Sequence, residues 1–134
     1  MHKLINIDGI GTIFANRLHQ EGLDYQEQFL EFCSKPSGRK AIAEHTGISP
    51  RLILKWTNHA DLARINGIAE EYAELLEKCG VDSVPELAKR RADNLYSSLK
   101  TTNEKYHLVR RLPNEKDLGL WIASAKNLPK IVQH

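Results

Sequence analysis

The sequence contains too few cysteines and no histidine spacing for a recognisable metal site. Only Cys33 and Cys79 are present, so a cysteine-rich zinc site is excluded. No histidine stands four residues from another histidine or from a cysteine. We therefore expect no metal and no cofactor. The thiols are expected to be free and partly buried, with a Cys33–Cys79 disulfide as the open alternative.

Long apolar runs are also missing. No run reaches the 18 residues typical of a membrane span, and the apolar stretch at the N-terminus is too short for a signal peptide. We therefore expect a cytoplasmic protein with no membrane partner.

The charge is close to balanced. Nineteen lysines and arginines face 17 acidic residues, a formal charge of +2. This excludes a strongly basic coat protein and an acidic tail, and allows only a local basic patch. With 41% hydrophobic residues in 134, the chain is long enough to bury a core as a single compact domain over residues 1–134.

No known catalytic motif occurs. The sequence has no Gly-x-Ser-x-Gly, no phosphate-binding Gly-Lys-Ser/Thr and no His-Glu-x-x-His. Asp8, Asp24 and Asp61 occupy positions that helix capping explains better than metal chemistry. We therefore predict that the protein is not an enzyme and has no small-molecule substrate.

An internal repeat relates residues 4–30 to residues 62–88 at an offset of 58 without gaps. The simplest cause is duplication of one helical unit, which predicts two duplicated lobes at about 1–61 and 62–134. The identical pairs are Leu4/Leu62, Ile7/Ile65, Gly9/Gly67, Ile10/Ile68, Ala15/Ala73, Leu18/Leu76, Gly22/Gly80 and Asp24/Asp82.

Each copy has the pattern of a helix, a tight turn and a second helix. In the first copy the glycines Gly9 and Gly11 predict a sharp turn, and a helix follows from about Thr12 to Glu21. Gly22 is expected to end that helix, and Asp24 to cap the next. The second copy predicts a helix over Glu70–Cys79, a stop at Gly80 and a new start near Asp82–Ser83.

The repeated pattern resembles the helix-hairpin-helix motif. The residues that carry the resemblance are Ile7-Asp8-Gly9-Ile10-Gly11, Ala15 and Leu18, and again Ile65-Asn66-Gly67-Ile68, Ala73 and Leu76, with Ala69 in place of the second glycine. The resemblance implies that the hairpin amides and the following helix N-terminus hold a phosphate without reading bases. Unpaired N–H groups at a helix start favour an anion, which agrees with that expectation.

A second pattern, between the copies, is similar to a helix-turn-helix. In the window Arg39–Asn58, Ala43, Gly47 and Ile53 stand where that motif places a small residue, a turn glycine and an apolar anchor. The alternative is a helical pair that joins the two lobes, with Leu52 and Trp56 in the core. We favour this packing interpretation, because the second helix also has to lead into the second hairpin.

The remainder of the chain also has helical periodicity. Over residues 92–134 we expect a break at Thr101–Asn103 and a last helix that is capped by Asn114. No segment alternates with a period of two, so the predicted fold is all-α: a compact multi-helix domain of tandem helix-hairpin-helix units with a helix-turn-helix-like pair between them and no sheet.

The chain as a whole resembles a small uncharacterised bacterial family, a domain of unknown function with tandem helix-hairpin-helix units. Besides the two hairpins, the resemblance rests on Gly38-Arg39-Lys40, Thr46-Gly47, Trp56, Ala60-Asp61-Leu62, Gly80-Val81-Asp82, Trp121-Ile122 and Ala125-Lys126. It implies a fold but no function.

Charge separates the two hairpins. The helix after the second hairpin carries Glu70, Glu71, Glu74 and Glu77, which repel a phosphodiester backbone. We therefore predict sequence-nonspecific DNA binding through the first hairpin. The predicted phosphate contacts are Gly9, Ile10, Gly11, Thr12, Arg17, Arg39, Lys40, Arg51 and Lys55. The residues Gly67, Ile68 and Ala69 of the second hairpin are predicted to be structural. The alternative is a protein-interaction or scaffold module with an unknown protein partner, which the balanced charge favours.

Overall fold

The computed structural model describes residues 2–7 and 9–134, apart from the side chain of Glu70. The predicted turn and cap roles of Asp8 lie outside the described residues. The fold is all-α, as predicted, and the described residues form no strand, only an isolated bridge between Lys3 and Tyr25. A 3₁₀ turn over Leu4–Asn6 precedes α1 (Thr12–Gln20), α2 (Gln26–Cys33), α3 (Pro36–Thr46), α4 (Pro50–Leu62), α5 (Glu70–Lys78), α6 (Val84–Ala88), α7 (Ala92–Tyr106) and α8 (Glu115–Asn127).

The chain divides into two compact units. The first unit comprises Met1–Asp61 together with Ile131–His134, and the second unit comprises Leu62–Lys130. Each unit has a buried core of its own, because each helix presents apolar residues to its neighbours at helical spacing.

The first unit packs α1 to α4 around Trp56, whose side chain is 0% exposed. Apolar residues of its helices line this core, including Leu18, Phe29 and Ile53. A close approach of α2 and α3 requires Gly38, since a Cβ there would lie 1.9 Å from the carbonyl oxygen of Phe32.

The second unit packs α5 to α8 around Leu118, Trp121 and Ile122. Its helices begin as predicted: the Ser83 side chain accepts a hydrogen bond from Glu86 N–H, and the Asn114 side chain accepts one from Asp117 N–H. Each cap satisfies an N–H group that the first helical turn leaves without a partner.

Three local predictions are wrong. Asp61 does not occupy a helix N-cap, because it lies in the last turn of α4 and is fully buried. Asp24 does not cap α2; the N-cap is Tyr25, and the Asp24 carboxylate lies 2.6 Å from Nδ1 of His19. Gln28 Oε1 reaches back from the helix and accepts the backbone N–H groups of Asp24 and Tyr25. The expected break at Thr101–Asn103 is also absent, since α7 continues to Tyr106.

Both cysteines are free thiols. Burial raises the pKa of the Cys33 thiol to about 12, although the positive charge of Arg39 acts in the opposite direction and lowers it. Burial also raises the pKa of the Cys79 thiol. Within the described part of the chain, no helix is long and apolar enough to cross a membrane.

Candidate nucleic-acid interface

The first glycine turn leads from the 3₁₀ turn into α1. Gly9 has φ +91°, a conformation that favours glycine, and is exposed, whereas Ile10 is fully buried. The backbone N–H of Ile10 donates to the Ile7 carbonyl at 3.1 Å, and that of Ala15 donates to the Gly11 carbonyl at 3.0 Å. The buried isoleucine fixes the turn while the glycine backbone faces solvent.

The start of α1 is open to an anion. Its N-cap is the exposed Gly11, and no side chain of the described residues caps the first turn. That turn, which begins with the exposed residues Thr12 and Ile13, contains no acidic residue. The partial positive charge of a helix N-terminus is therefore not offset by a neighbouring carboxylate in the turn itself.

The second glycine turn has the same backbone pattern, but the helix that follows it begins with acidic residues. Gly67 has φ +98°, the N–H of Ile68 donates to Ile65 at 3.1 Å, and that of Ala73 donates to Ala69 at 3.0 Å. The helix that follows starts with Glu70-Glu71, and Glu71 is exposed. This acidic start disfavours a phosphate at the second turn.

An aromatic pair lies behind each turn. In the first unit the rings of Phe14 and Trp56 are 5.5 Å apart and tilted by 56°, and in the second unit those of Tyr72 and Trp121 are 5.6 Å apart at the same angle. Phe14 and Tyr72 are related by the offset of 58. The likeness of the two units therefore includes their core contacts as well as their turns.

Two predicted arginines lie near the turn between α3 and α4. The Arg17 guanidinium is 3.4 Å from the Thr46 carbonyl oxygen and also lies over the Phe14 ring, 5.8 Å from its centre. Arg51 is exposed in the first turn of α4, where its N–H donates to the Ser49 hydroxyl. Both side chains are at the surface of the first unit, and Lys40 is exposed on α3 as well.

Arg39 does not belong to this surface, which corrects its predicted role. Its side chain is 8% exposed, and its guanidinium donates to the carbonyl oxygens of Cys33, Ser34 and Gln133 at 2.9, 3.2 and 2.6 Å. A guanidinium engaged with three backbone carbonyls is a structural group. Arg39 is therefore removed from the set of phosphate contacts.

Trp56, which the packing interpretation of the helix-turn-helix window places in the core, is fully buried, and Leu52 packs half-buried against that core. Trp56 to Asp61 on α4 are all buried, and Asn58 Oδ1 contacts Nε2 of His134 at 3.2 Å. Lys55 is half-buried and already has an interaction within the protein. A helix buried along this stretch cannot present these residues to a DNA groove.

The second unit contains a pocket that no sequence pattern predicted. It has a volume of about 510 Å³ and is lined by Gly67, Tyr72, Arg111, Leu112, Pro113, Asn114, Asp117 and Trp121. The long connection between the last two helices was one indication in the sequence of a further feature there. The residues that line the pocket are far apart in sequence, so no local pattern brought them together.

The fold therefore defines a class of protein: an all-α domain with two glycine turns, each with an aromatic pair behind it. The chain belongs to the family described as a domain of unknown function, DUF4332, whose model matches residues 8–128. No match to the chain was found among the curated proteins or among the solved structures.

Proposed function

We propose that the protein is a non-enzymatic DNA-binding module that contacts phosphates without reading sequence, through the start of α1. The observation that carries the proposal is the uncapped, acid-free first turn behind the exposed Gly11. Backbone N–H groups at such a helix start hydrogen-bond a phosphate oxygen and do not distinguish bases. The proposed contacts are Gly9 to Thr12, with the turn fixed by the buried Ile10.

The first unit also carries three exposed cations that are among the predicted phosphate contacts: Arg17, Lys40 and Arg51. Phosphate contacts by cations release counterions, and each contact contributes about −0.9 to the slope of log affinity against log salt. Two or three such contacts give an expected slope of about −2 to −3. That slope is modest, as expected for a first unit whose seven basic and seven acidic side chains balance.

The central test uses a matched pair of substitutions, Gly11→Asp and Ala69→Asp. Both positions are N-caps at the two equivalent turns, and the Gly11 Cβ position has no neighbour within 4 Å. An aspartate at an N-cap accepts the first-turn N–H groups, so it preserves the helix while it occupies the anion site. We expect Gly11→Asp to weaken binding to a labelled duplex at least tenfold and Ala69→Asp to leave it unchanged.

The assay is fluorescence anisotropy with labelled duplex over a salt series, with circular dichroism to verify folding. Arg51→Ala is expected to make the slope shallower by about 0.9. Equal effects of Gly11→Asp and Ala69→Asp would move the site away from the first turn. Absence of binding by the wild-type protein at low salt would remove the DNA-binding proposal.

A second candidate function is protein interaction, as a scaffold or adaptor. The observation in its favour is a groove of about 640 Å³ between α3 and α4. Its lining includes the apolar residues Pro36, Ala43, Ile48, Pro50 and Leu54. Under this alternative, Leu54→Glu would abolish binding of a partner protein while DNA binding would be absent in wild type and variant alike.

A further inference from the structure

The two units differ most in the chain that joins their last two helices. In the first unit, three residues, Gly47–Ser49, connect α3 to α4, whereas eight residues, 107–114, connect α7 to α8. In the first unit Trp56 is fully buried, and in the second unit Trp121 retains 7% exposure and lines the pocket. The longer connection therefore accompanies a pocket at the equivalent aromatic pair.

The longer connection is held in place by side chains. Asn103 Oδ1 accepts hydrogen bonds from the N–H groups of Leu108 and Val109, and its Nδ2 donates to the Val109 carbonyl. At the other end, the Tyr72 hydroxyl donates to the Arg111 carbonyl at 3.0 Å. Bonds at both ends give the pocket wall a defined conformation, which a binding site needs to limit the entropic cost of binding.

The chemistry of the pocket combines an aromatic surface with charged and amide groups. Tyr72 and Trp121 provide ring surface, and Arg111 provides an exposed guanidinium. Asn114 and Asp117 add an amide and a carboxylate. The Asn114 oxygen already caps α8, so its amide N–H groups are the remaining donors, and the Asp117 carboxylate only accepts.

This set matches a single nucleotide. A base stacks on aromatic side chains, and a guanidinium binds its phosphate. The amide donor of Asn114 and the carboxylate acceptor of Asp117 suit a base edge, because each of the four bases carries a hydrogen-bond acceptor next to an N–H donor. The volume of about 510 Å³ lies within the usual range for small ligands.

We propose that this pocket of the second unit binds one unpaired nucleotide of any base, with its base against Tyr72 and its phosphate on Arg111. As a site for a nucleotide of a DNA strand, the proposal rests on the DNA-binding function above. It assigns the second unit a role that its acidic helix start does not exclude, because the phosphate would be held at Arg111 and not at the Gly67 turn.

The test measures quenching of tryptophan fluorescence by deoxynucleoside 5′-monophosphates. We expect saturable quenching by all four nucleotides at concentrations at least tenfold below those needed for the corresponding deoxynucleosides, which lack the phosphate. Arg111→Ala should raise the dissociation constant at least tenfold, the size expected from loss of a hydrogen bond between charged groups. The matched control is Arg110→Ala, an exposed arginine that does not line the pocket.

Ribose 5-phosphate tests the contribution of the base separately from that of the phosphate. Ribose 5-phosphate, which has no base, should not compete. Quenching by deoxynucleosides at the same concentrations as by nucleotides, competition by ribose 5-phosphate, or an unchanged dissociation constant in Arg111→Ala would overturn the proposal.

A duplex with a single unpaired 3′ thymidine separates this proposal from the DNA-binding function. We expect it to bind more tightly than a blunt duplex, and Arg111→Ala to remove the difference while leaving blunt-duplex binding unchanged. If dTMP binds but the overhang has no effect, the nucleotide site stands and its link to DNA fails. If blunt duplex binds but no mononucleotide does, the pocket proposal fails while the first-turn site stands.

Discussion

The two equivalent glycine turns allow backbone strain to be separated from steric contact. Gly9 and Gly67 both have positive φ, +91° and +98°. They differ in what a Cβ would meet: at Gly67 it would lie 2.9 Å from Nε1 of Trp121, and at Gly9 it would lie 3.9 Å from Nε1 of Trp56. We therefore predict that Gly67→Ala destabilises the protein more than Gly9→Ala.

The magnitudes follow from these contacts. An alanine at a sparsely populated positive φ costs about 1–3 kcal/mol. At Gly9 this is the whole expected cost, since 3.9 Å is ordinary van der Waals contact. At Gly67 the methyl group overlaps an indole packed against Tyr72, and overpacking adds about 1–3 kcal/mol. Gly67→Ala should therefore cost about 2–6 kcal/mol in free energy of unfolding.

The assay is urea unfolding followed by circular dichroism, with thermal unfolding as a second measurement. For a chain of this length, 1 kcal/mol corresponds to about 4 °C in Tm. The variant Trp121→Phe removes the indole nitrogen, so in that background the extra cost of Gly67→Ala should fall towards the cost at Gly9. Equal costs at the two glycines, or an unchanged extra cost in Trp121→Phe, would refute the steric argument.

Three further predictions concern the first unit. Trp56→Ala should cost about 3–5 kcal/mol in urea unfolding because the side chain is fully buried; a stability equal to wild type would contradict its place in the core. Arg39→Ala should cost about 2–4 kcal/mol because buried carbonyls lose their donor, and Arg39→Lys, with fewer donors, should recover only part; full recovery by lysine would argue against the three-carbonyl arrangement. In a Cys79→Ser background, Cys33 should react with a thiol reagent at pH 8 only as fast as the protein unfolds, because its raised pKa keeps the buried thiol protonated; rapid labelling of the native protein would contradict this.

Much of the local structure could be predicted because it depends on neighbouring residues. The glycines Gly9, Gly22, Gly67 and Gly80 have positive φ, as expected of residues that end helices or form tight turns. Ser83 and Asn114 cap their helices for reasons present within three residues. Turns and caps that depend on residues within three positions of each other can therefore be predicted from the sequence alone.

The wrong predictions concern residues whose structure depends on contacts with residues far away in the sequence. Arg39 stands beside the exposed Lys40 and has the pattern of a basic surface pair, but its guanidinium contacts Gln133, which is 94 residues away. Asn103, in a stretch expected to break a helix, uses its side chain to hold the backbone that follows α7. The pocket likewise combines a turn at Gly67 with a connection more than 40 residues later, so no local pattern could indicate it.

The division of the chain has a consequence for its synthesis. The first unit includes Ile131–His134, where Val132 is buried with Leu30 and Ala60, and the Gln133 carbonyl accepts from Arg39. All of Leu62–Lys130 must be translated before these residues exist, which takes roughly 3–14 s at about 5–20 residues per second. During that interval the nascent first unit lacks one acceptor of the Arg39 guanidinium and the valine that packs against Leu30 and Ala60.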